Sequence, residues 1–233
     1  MRSQLVESIT STNLDFNTPG KVYTFLNPVS YLDALKHKGL YQRFDGIFAD
    51  GSILVAAIRM LYGKKVERRS FDMTSVAPLL FDYVQKEGMS VYIVASKPEE
   101  VENAVEILKD RYPDVHIIGY RNGYFSDEAE QDEEARHIAE VNPDFLIVGM
   151  GAIMQEKFLL KVRDAGFRGI GFTCGGFIHQ TAKNEIDYYP AWADRMNLRF
   201  IYRMYKEPHT RKRYLKAGFV FPVRFIYERF FGK

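Results

Sequence analysis

The sequence predicts an α/β fold: a parallel β-sheet flanked by helices, with a basic helical C-terminal appendage. Three observations predict it. From residue 75 to 176 helical and strand-like segments alternate, and short turns between them require parallel βαβ crossovers. The strand-like segments are apolar runs too short for helices, as expected of strands covered on both faces. After Pro190 the pattern changes to a basic, aromatic, helical stretch without a clear strand. These readings divide the chain into an α/β domain over 1–190 and an appendage over 191–233.

Taken in order, Val22–Leu26 reads as a short strand ending at Asn27-Pro28. Tyr31 to Lys38 reads as a helix stopped by Gly39. Asp45–Asp50 is the next strand, and Gly51 leads into an apolar helix over 52–62, followed by Gly63. Residues 75–87 form a helix closed by Gly88. Met89–Ala95 is a β-rich apolar run. Ser96-Lys97-Pro98 then opens a helix to about Arg111, with Ser96 as an N-cap and Pro98 in the first turn. Val115–Gly119 is a strand, and 126–140 an acidic helix with Ser126 at the cap. Asp144–Gly149 is a strand, with a helix beyond Gly151 through Arg163. Gly169–Thr173 is the last short strand, leading to Gly175-Gly176.

The 233 residues are 46% hydrophobic and 15% aromatic, enough for a core and too apolar for low-complexity disorder. One cysteine, Cys174, excludes an intramolecular disulfide framework and fits a reducing compartment. The first residues, MRSQLVESITSTNLDF, lack the apolar core of a secretory signal. No apolar run approaches the ~20 residues of a membrane-spanning helix. The net charge of +2 hides an asymmetry. Residues 195–233 carry 11 Lys and Arg against 2 Asp and Glu, a balance of +9, and residues 1–194 balance at −7. A basic tail interleaved with Phe, Tyr and Leu expects an anionic partner. A helical hairpin packed on the body competes with an interfacial segment on an anionic membrane. No recognised module supports nucleic-acid binding.

In open parallel sheets ligands sit beyond the carboxyl ends of the strands. Four such exits stand out: Asn27-Pro28, Asp50-Gly51, Gly149-Met150-Gly151 and Cys174-Gly175-Gly176. Glycines there let backbone approach a ligand, and free helix N–H groups can hold phosphate. Neither G-x-G-x-x-G nor a P-loop motif is present. Asp50 reads either as a helix cap or as a carboxylate that takes a proton from a hydroxyl nucleophile. Gln155-Glu156 reads as a surface pair in a first helical turn, or Gln155 bonds a sugar hydroxyl or phosphate oxygen. Arg68 lies in a basic run that is either a solvated loop or a diphosphate clamp. The five histidines and Cys174 show no zinc-ligand spacing, and no D-x-D occurs, so no metal is expected. Cys174 reads as packing, not as a nucleophile.

These residues together resemble the bacterial WecG/TagA/CpsF glycosyltransferase family. The carrying motifs are Ala49-Asp50-Gly51, Arg68 with Asp72, Asn122-Gly123-Tyr124-Phe125, Asn142 through Gly151 into Gln155-Glu156, and Gly175-Gly176-Phe177. Further along come Pro190-Ala191-Trp192, Leu198 through Tyr202-Arg203 to Glu207-Pro208, and Arg213-Tyr214. The resemblance implies a Rossmann-like domain of its own type and no catalytic metal or other cofactor. It implies transfer of a sugar from a UDP donor to a sugar on undecaprenyl diphosphate, at the cytoplasmic membrane face, in surface polysaccharide synthesis. The sugar would be of the N-acetylmannosamine type, its uronic acid, or another hexose. Asp50 would be the base and Gln155 an active-site residue. The Thr-x-Asn of the family is Thr24-Phe25-Leu26-Asn27 here, one residue longer, with Asn27 the better match. The appendage would dock on the membrane and bring arginines to the site, with Arg203, Arg211 and Arg213 as candidates.

The chain departs from the family pattern in three places. Gly151-Ala152-Ile153 replaces Gly-Ser-Pro, Phe177-Ile178 replaces Phe-Asp, and Tyr188-Tyr189-Pro190 replaces Arg-Ala-Pro. His179 and Gln180, beside the lost carboxylate, are candidates for substitute hydrogen bonds. The expected reaction is an inverting transfer in which Asp50 deprotonates the acceptor hydroxyl, with Arg68 and the tail arginines facing the leaving diphosphate. The donor-site departures keep open a non-catalytic, membrane-associated scaffold of a polysaccharide assembly complex.

Overall fold

A computed structural model describes residues 4–9, 14–183, 190, 192–193, 196 and 198–232. Six strands form one sheet: β1 (Val22–Leu26), β2 (Gly46–Ala49), β3 (Ser90–Ala95), β4 (His116–Arg121), β5 (Phe145–Gly149) and β6 (Ile170–Thr173). They lie in the order β2-β1-β6-β5-β3-β4, and every pairing is parallel. Alternate side chains leave the sheet in opposite directions and build two cores. Leu26, Ile47, Val94, Leu146 and Val148 face one way, and Tyr23, Phe48, Ile93, Ile147 and Phe172 face the other.

The first core is covered by α1 (Gln4–Ser8), α2 (Pro28–Ala34), α3 (Lys38–Tyr41), α4 (Ser52–Tyr62), α7 (Glu128–Val141) and α8 (Met154–Asp164). The second is covered by α5 (Val76–Glu87), α6 (Pro98–Arg111) and α9 (Phe177–Ala182). Gly63 and Gly88 close α4 and α5 at φ of 63° and 64°, the left-handed geometry that favours glycine.

Several boundaries differ from expectation for a local reason. Helix α2, expected from Tyr31, starts at Pro28, because the Asn27 carboxamide accepts from the N–H groups of Val29 and Ser30, and Asn27 N–H donates to Ser30 Oγ. It ends at Ala34, and Gly39 lies inside α3 instead of stopping α2. Ser96 does not cap α6. It takes a left-handed φ of 56°, and Lys97 occupies the cap position. Asp127, not Ser126, caps α7 by accepting from Glu130 N–H at 2.9 Å. Two short helices, α1 and α9, carry too few turns to show a period in the sequence.

The C-terminal stretch is helical as expected: α10 (Arg199–Lys206), a 3-10 turn over Pro208–Thr210, and α11 (Arg211–Phe231). Helix α11 seats Ala217, Phe221 and Phe225 against α2 and α4, with Phe225 5.2 Å from the Tyr31 ring and 5.4 Å from the Tyr62 ring. The boundary expected at 190/191 and the Tyr188-Tyr189 departure fall on 184–189 and 191, outside the described residues. No described helix is long and apolar enough to cross a membrane.

Candidate active site

All six strands point their carboxyl ends at one cleft of about 1010 Å³. Asp50 enters it from the end of β2. Its backbone N–H donates to Leu26 O at 2.7 Å, which ties the residue to the neighbouring strand. The following helix begins on Gly51 at φ 97° with no side-chain cap, so Asp50 is not spent on capping. Outside β2, Arg68 makes a one-residue parallel bridge with Ala49, and Arg69 N–H donates to Ala49 O at 2.9 Å. The basic run is therefore not a freely solvated loop. Its Val66 is buried and its Arg68 lines the cleft.

Asp50 is flanked by charges of both signs. Burial first, then the Asp72 carboxylate, pushes its pKa up to about 6, against Arg199, Arg68 and Arg203. Arg199 Nη1 donates to Asp72 Oδ2 at 2.9 Å, and its Nη2 to Thr74 Oγ1. Arg203 Nε donates to Glu207 Oε2 at 3.3 Å. A Cβ on Gly176 would lie 3.0 Å from an Arg203 Nη, so the guanidinium rests over that glycine. Helix α10 thus closes the cleft above the strand ends.

The floor is built from glycine loops. A Cβ at Gly149 would meet Cys174 Sγ at 2.6 Å and Gly175 O at 3.0 Å, so only glycine fits between β5 and β6. Gly151 and Gly175 hold φ of 82° and 57°. Ile153 also has φ 73°, an outlier for a β-branched residue, at the entrance to α8. Cys174 is packing: burial pushes its thiol up to about 12.

Gln155 and Glu156 are not a surface pair, being only 5% and 1% exposed. Gly175 N–H donates to Gln155 Oε1 at 3.1 Å, and Gln155 Nε2 donates to Glu156 Oε1 at 2.9 Å. Thr24 Oγ1 donates to the same Oε1 at 2.9 Å, and Thr173 Oγ1 donates to Thr24 Oγ1 at 2.8 Å. Ile153 N–H donates to Glu156 Oε2 at 2.6 Å. Burial raises the Glu156 pKa against these donors.

Of the expected site residues, Asn27, Asp50, Arg68, Gly149, Gly151, Gln155, Gly175, Gly176, His179, Gln180, Arg203 and Arg213 line the cleft. Asn27 does so while its side-chain oxygen caps α2. Thr24 lies fully buried under the floor and does not line it. Arg211 is outside the lining, and its Nε donates to Met204 O at 2.8 Å. His179 Nδ1 sits 2.8 Å from Glu100 Oε1. Burial works against charge on Glu100, but the bonds from His179 and Lys97 N–H hold its carboxyl below the usual range. Sequence reasoning assigned no site role to Arg199, Asp72, Glu100 or Lys97. The available signals were the motif of Arg68 with Asp72 and the motif from Leu198 to Arg203, which spans Arg199. Among the described residues no three His, Cys, Asp or Glu side chains group as a metal site.

A carboxylate with a raised pKa beside guanidinium groups, at the carboxyl edge of a parallel sheet, is the arrangement that group transfer on an anionic substrate requires. The sequence profile of the glycosyl transferase WecG/TagA/CpsF family matches residues 2–233. The chain belongs to this family of glycosyltransferases. It is 34% identical over 207 residues to the UDP-Gal:alpha-D-GlcNAc-diphosphoundecaprenol beta-1,4-galactosyltransferase of Shigella boydii, covering 89% of this chain and 86% of that one. It is 26% identical over 200 residues to the N-acetylglucosaminyldiphosphoundecaprenol N-acetyl-beta-D-mannosaminyltransferase of Bacillus subtilis strain 168, covering 84% and 75%.

Proposed function

We propose that this chain transfers a hexose from a UDP donor to an undecaprenyl-diphosphate-linked sugar, with inversion and without a metal. The observation that carries the reading is Asp50, held near neutrality in a cleft lined by Arg68, Arg199 and Arg203. Ionised Asp50 takes the proton of the acceptor hydroxyl as that oxygen attacks the anomeric carbon and the bond to the donor diphosphate breaks. The departing charge meets guanidinium groups and the loop N–H groups of Gly151 and Gly176. The names of these relatives support the acceptor class, and one of them names a UDP-galactose donor. Those names are transferases throughout and give the scaffold reading no support.

The α/β domain over 1–190 then holds the donor, and the appendage over 191–233 completes the cleft and meets the membrane. Helix α11 supports this by being apolar on two opposite sides. Phe221 and Phe225 are buried, whereas Val223, Ile226 and Phe230 continue an exposed stripe that begins at the cleft rim with Leu215 and Phe219. Exposed Lys212 and Lys216 lie along that stripe, as suits anionic lipid on the inner face of the cell membrane.

The test is UDP release and product formation when the protein is mixed with a panel of UDP-hexoses and a GlcNAc-diphosphate-lipid acceptor. Turnover is expected to depend on both substrates and to persist in excess EDTA. Loss of turnover on chelation, restored by a divalent cation, would overturn the metal-independent part.

A further inference from the structure

The buried carboxylate of Glu156 touches no open part of the cleft, yet it joins three strand exits. Thr24 reaches it from β1, and Thr173 of β6 backs Thr24. Ile153 N–H reaches it from the loop after β5. Gln155 links it to Gly175 in the loop after β6. Each bond has a fixed direction. An ionised carboxylate only accepts, and Gly175 N–H only donates, so the carboxamide between them has one workable orientation. Its Oε1 faces Gly175 and its Nε2 faces Glu156. One Nε2 proton is used by Glu156, and the second belongs to a side chain that lines the cleft.

We infer that Glu156 is a positioning residue that locks Gln155 as an N–H donor toward an anionic oxygen of the substrate, namely the diphosphate of the nucleotide-linked donor. Without Glu156 only the Gly175 N–H holds the carboxamide, and its Nε2 loses the partner that fixes where its N–H groups point. The position of Gln155 between the two glycine loops puts that N–H among the other donors that face the diphosphate. The same arrangement gives Thr24 a role beneath the floor, as a support for Glu156 and not as a substrate contact. It also explains why Ile153 tolerates a left-handed φ, since its N–H is held by Glu156 Oε2. The inference rests on the reading that the cleft takes a nucleoside diphosphate donor.

The test is calorimetric titration with UDP, which needs no turnover. Glu156→Gln must point an NH₂ at either Ile153 N–H or the Gln155 and Thr24 donors, so the relay breaks. It is expected to weaken UDP binding about tenfold, the scale of one charge-assisted hydrogen bond. Its kcat/KM falls with it, while the limb of the pH–rate profile near 6 stays in place. Thr24→Val removes one donor to Glu156 and is expected to weaken UDP binding severalfold, and Thr24→Ser, which keeps the hydroxyl, to recover most of that loss. If Glu156→Gln fails to fold, the two Thr24 variants carry the test. UDP affinities of a folded Glu156→Gln or of Thr24→Val within twofold of wild type would overturn the inference. Failure of Asp50 as base shows separately, in the turnover of Asp50→Asn.

Discussion

Asp50 costs the fold stability in the state in which it works. Its pKa of about 6 lies above the ordinary 3.8 because burial and Asp72 disfavour its charge. A group raised on folding gives its full stabilisation below its unfolded pKa and loses it as pH rises through the folded one. Well above pH 6 the ionised carboxylate is therefore a burden on the order of 3 kcal/mol. Asp50→Asn is expected to melt higher than wild type at pH 7.5, with the gain shrinking toward pH 4. The same substitution is expected to leave less than a tenth of wild-type turnover, with UDP affinity near normal. In wild type kcat/KM is expected to fall as pH drops through about 6, because only the ionised form accepts a proton. Asp50 was legible in the sequence as a lone carboxylate between an apolar strand and a glycine. Glu156 and Arg199 were not, because what decides them is distant in the chain. Thr24 is 132 residues from Glu156, and Asp72 is 127 from Arg199.

All but the edge strand β4, which alternates exposed and half-buried, were legible as short apolar runs, since a strand covered on both faces needs no partner to announce it. The order of helices and strands followed from their alternation. The first turn of α2 was not, because its start depends on the Asn27–Ser30 exchange instead of an apolar period. Helix α11 was legible as helical but not as to its seat. With Phe221 and Phe225 on one side and Phe219, Val223 and Phe230 on the other, no single apolar face emerges. Two kinds of substitution separate its two faces. Phe225→Ala opens a cavity beside Tyr31 and Tyr62 and is expected to cost about 3–5 kcal/mol, the range for a buried Phe. It should loosen α11 from α2 and α4, read as faster amide exchange over 211–231 and as protease sensitivity there. A double change of Val223 and Phe230 to Asp touches only exposed positions outside the cleft. It is expected to leave the melting temperature almost unchanged and to abolish flotation with anionic vesicles.

At the scale of the whole molecule, the basic segment and the site coincide. The −7 of residues 1–194 and the +9 of residues 195–233 cancel in the total, but the second group forms one wall of the cleft. Deleting the tail is an ambiguous experiment for that reason. It removes Arg199, Arg203 and Arg213 from the site and uncovers the apolar seat on α2 and α4 together with any membrane contact. Salt separates these effects. Exposed Lys212 and Lys216 lie where a Debye length of about 8 Å at physiological salt screens them. Each is worth on the order of 1 kcal/mol against an anionic surface. The Arg199–Asp72 pair is mostly buried and much less screened. Raising salt is therefore expected to release the protein from anionic vesicles and to lower transfer to a vesicle-embedded acceptor. Transfer to the same sugar diphosphate on a short, water-soluble chain should change far less. Equal salt sensitivity with both acceptors would place the effect in the cleft and not at the membrane, and the appendage would then serve as a wall of the site alone.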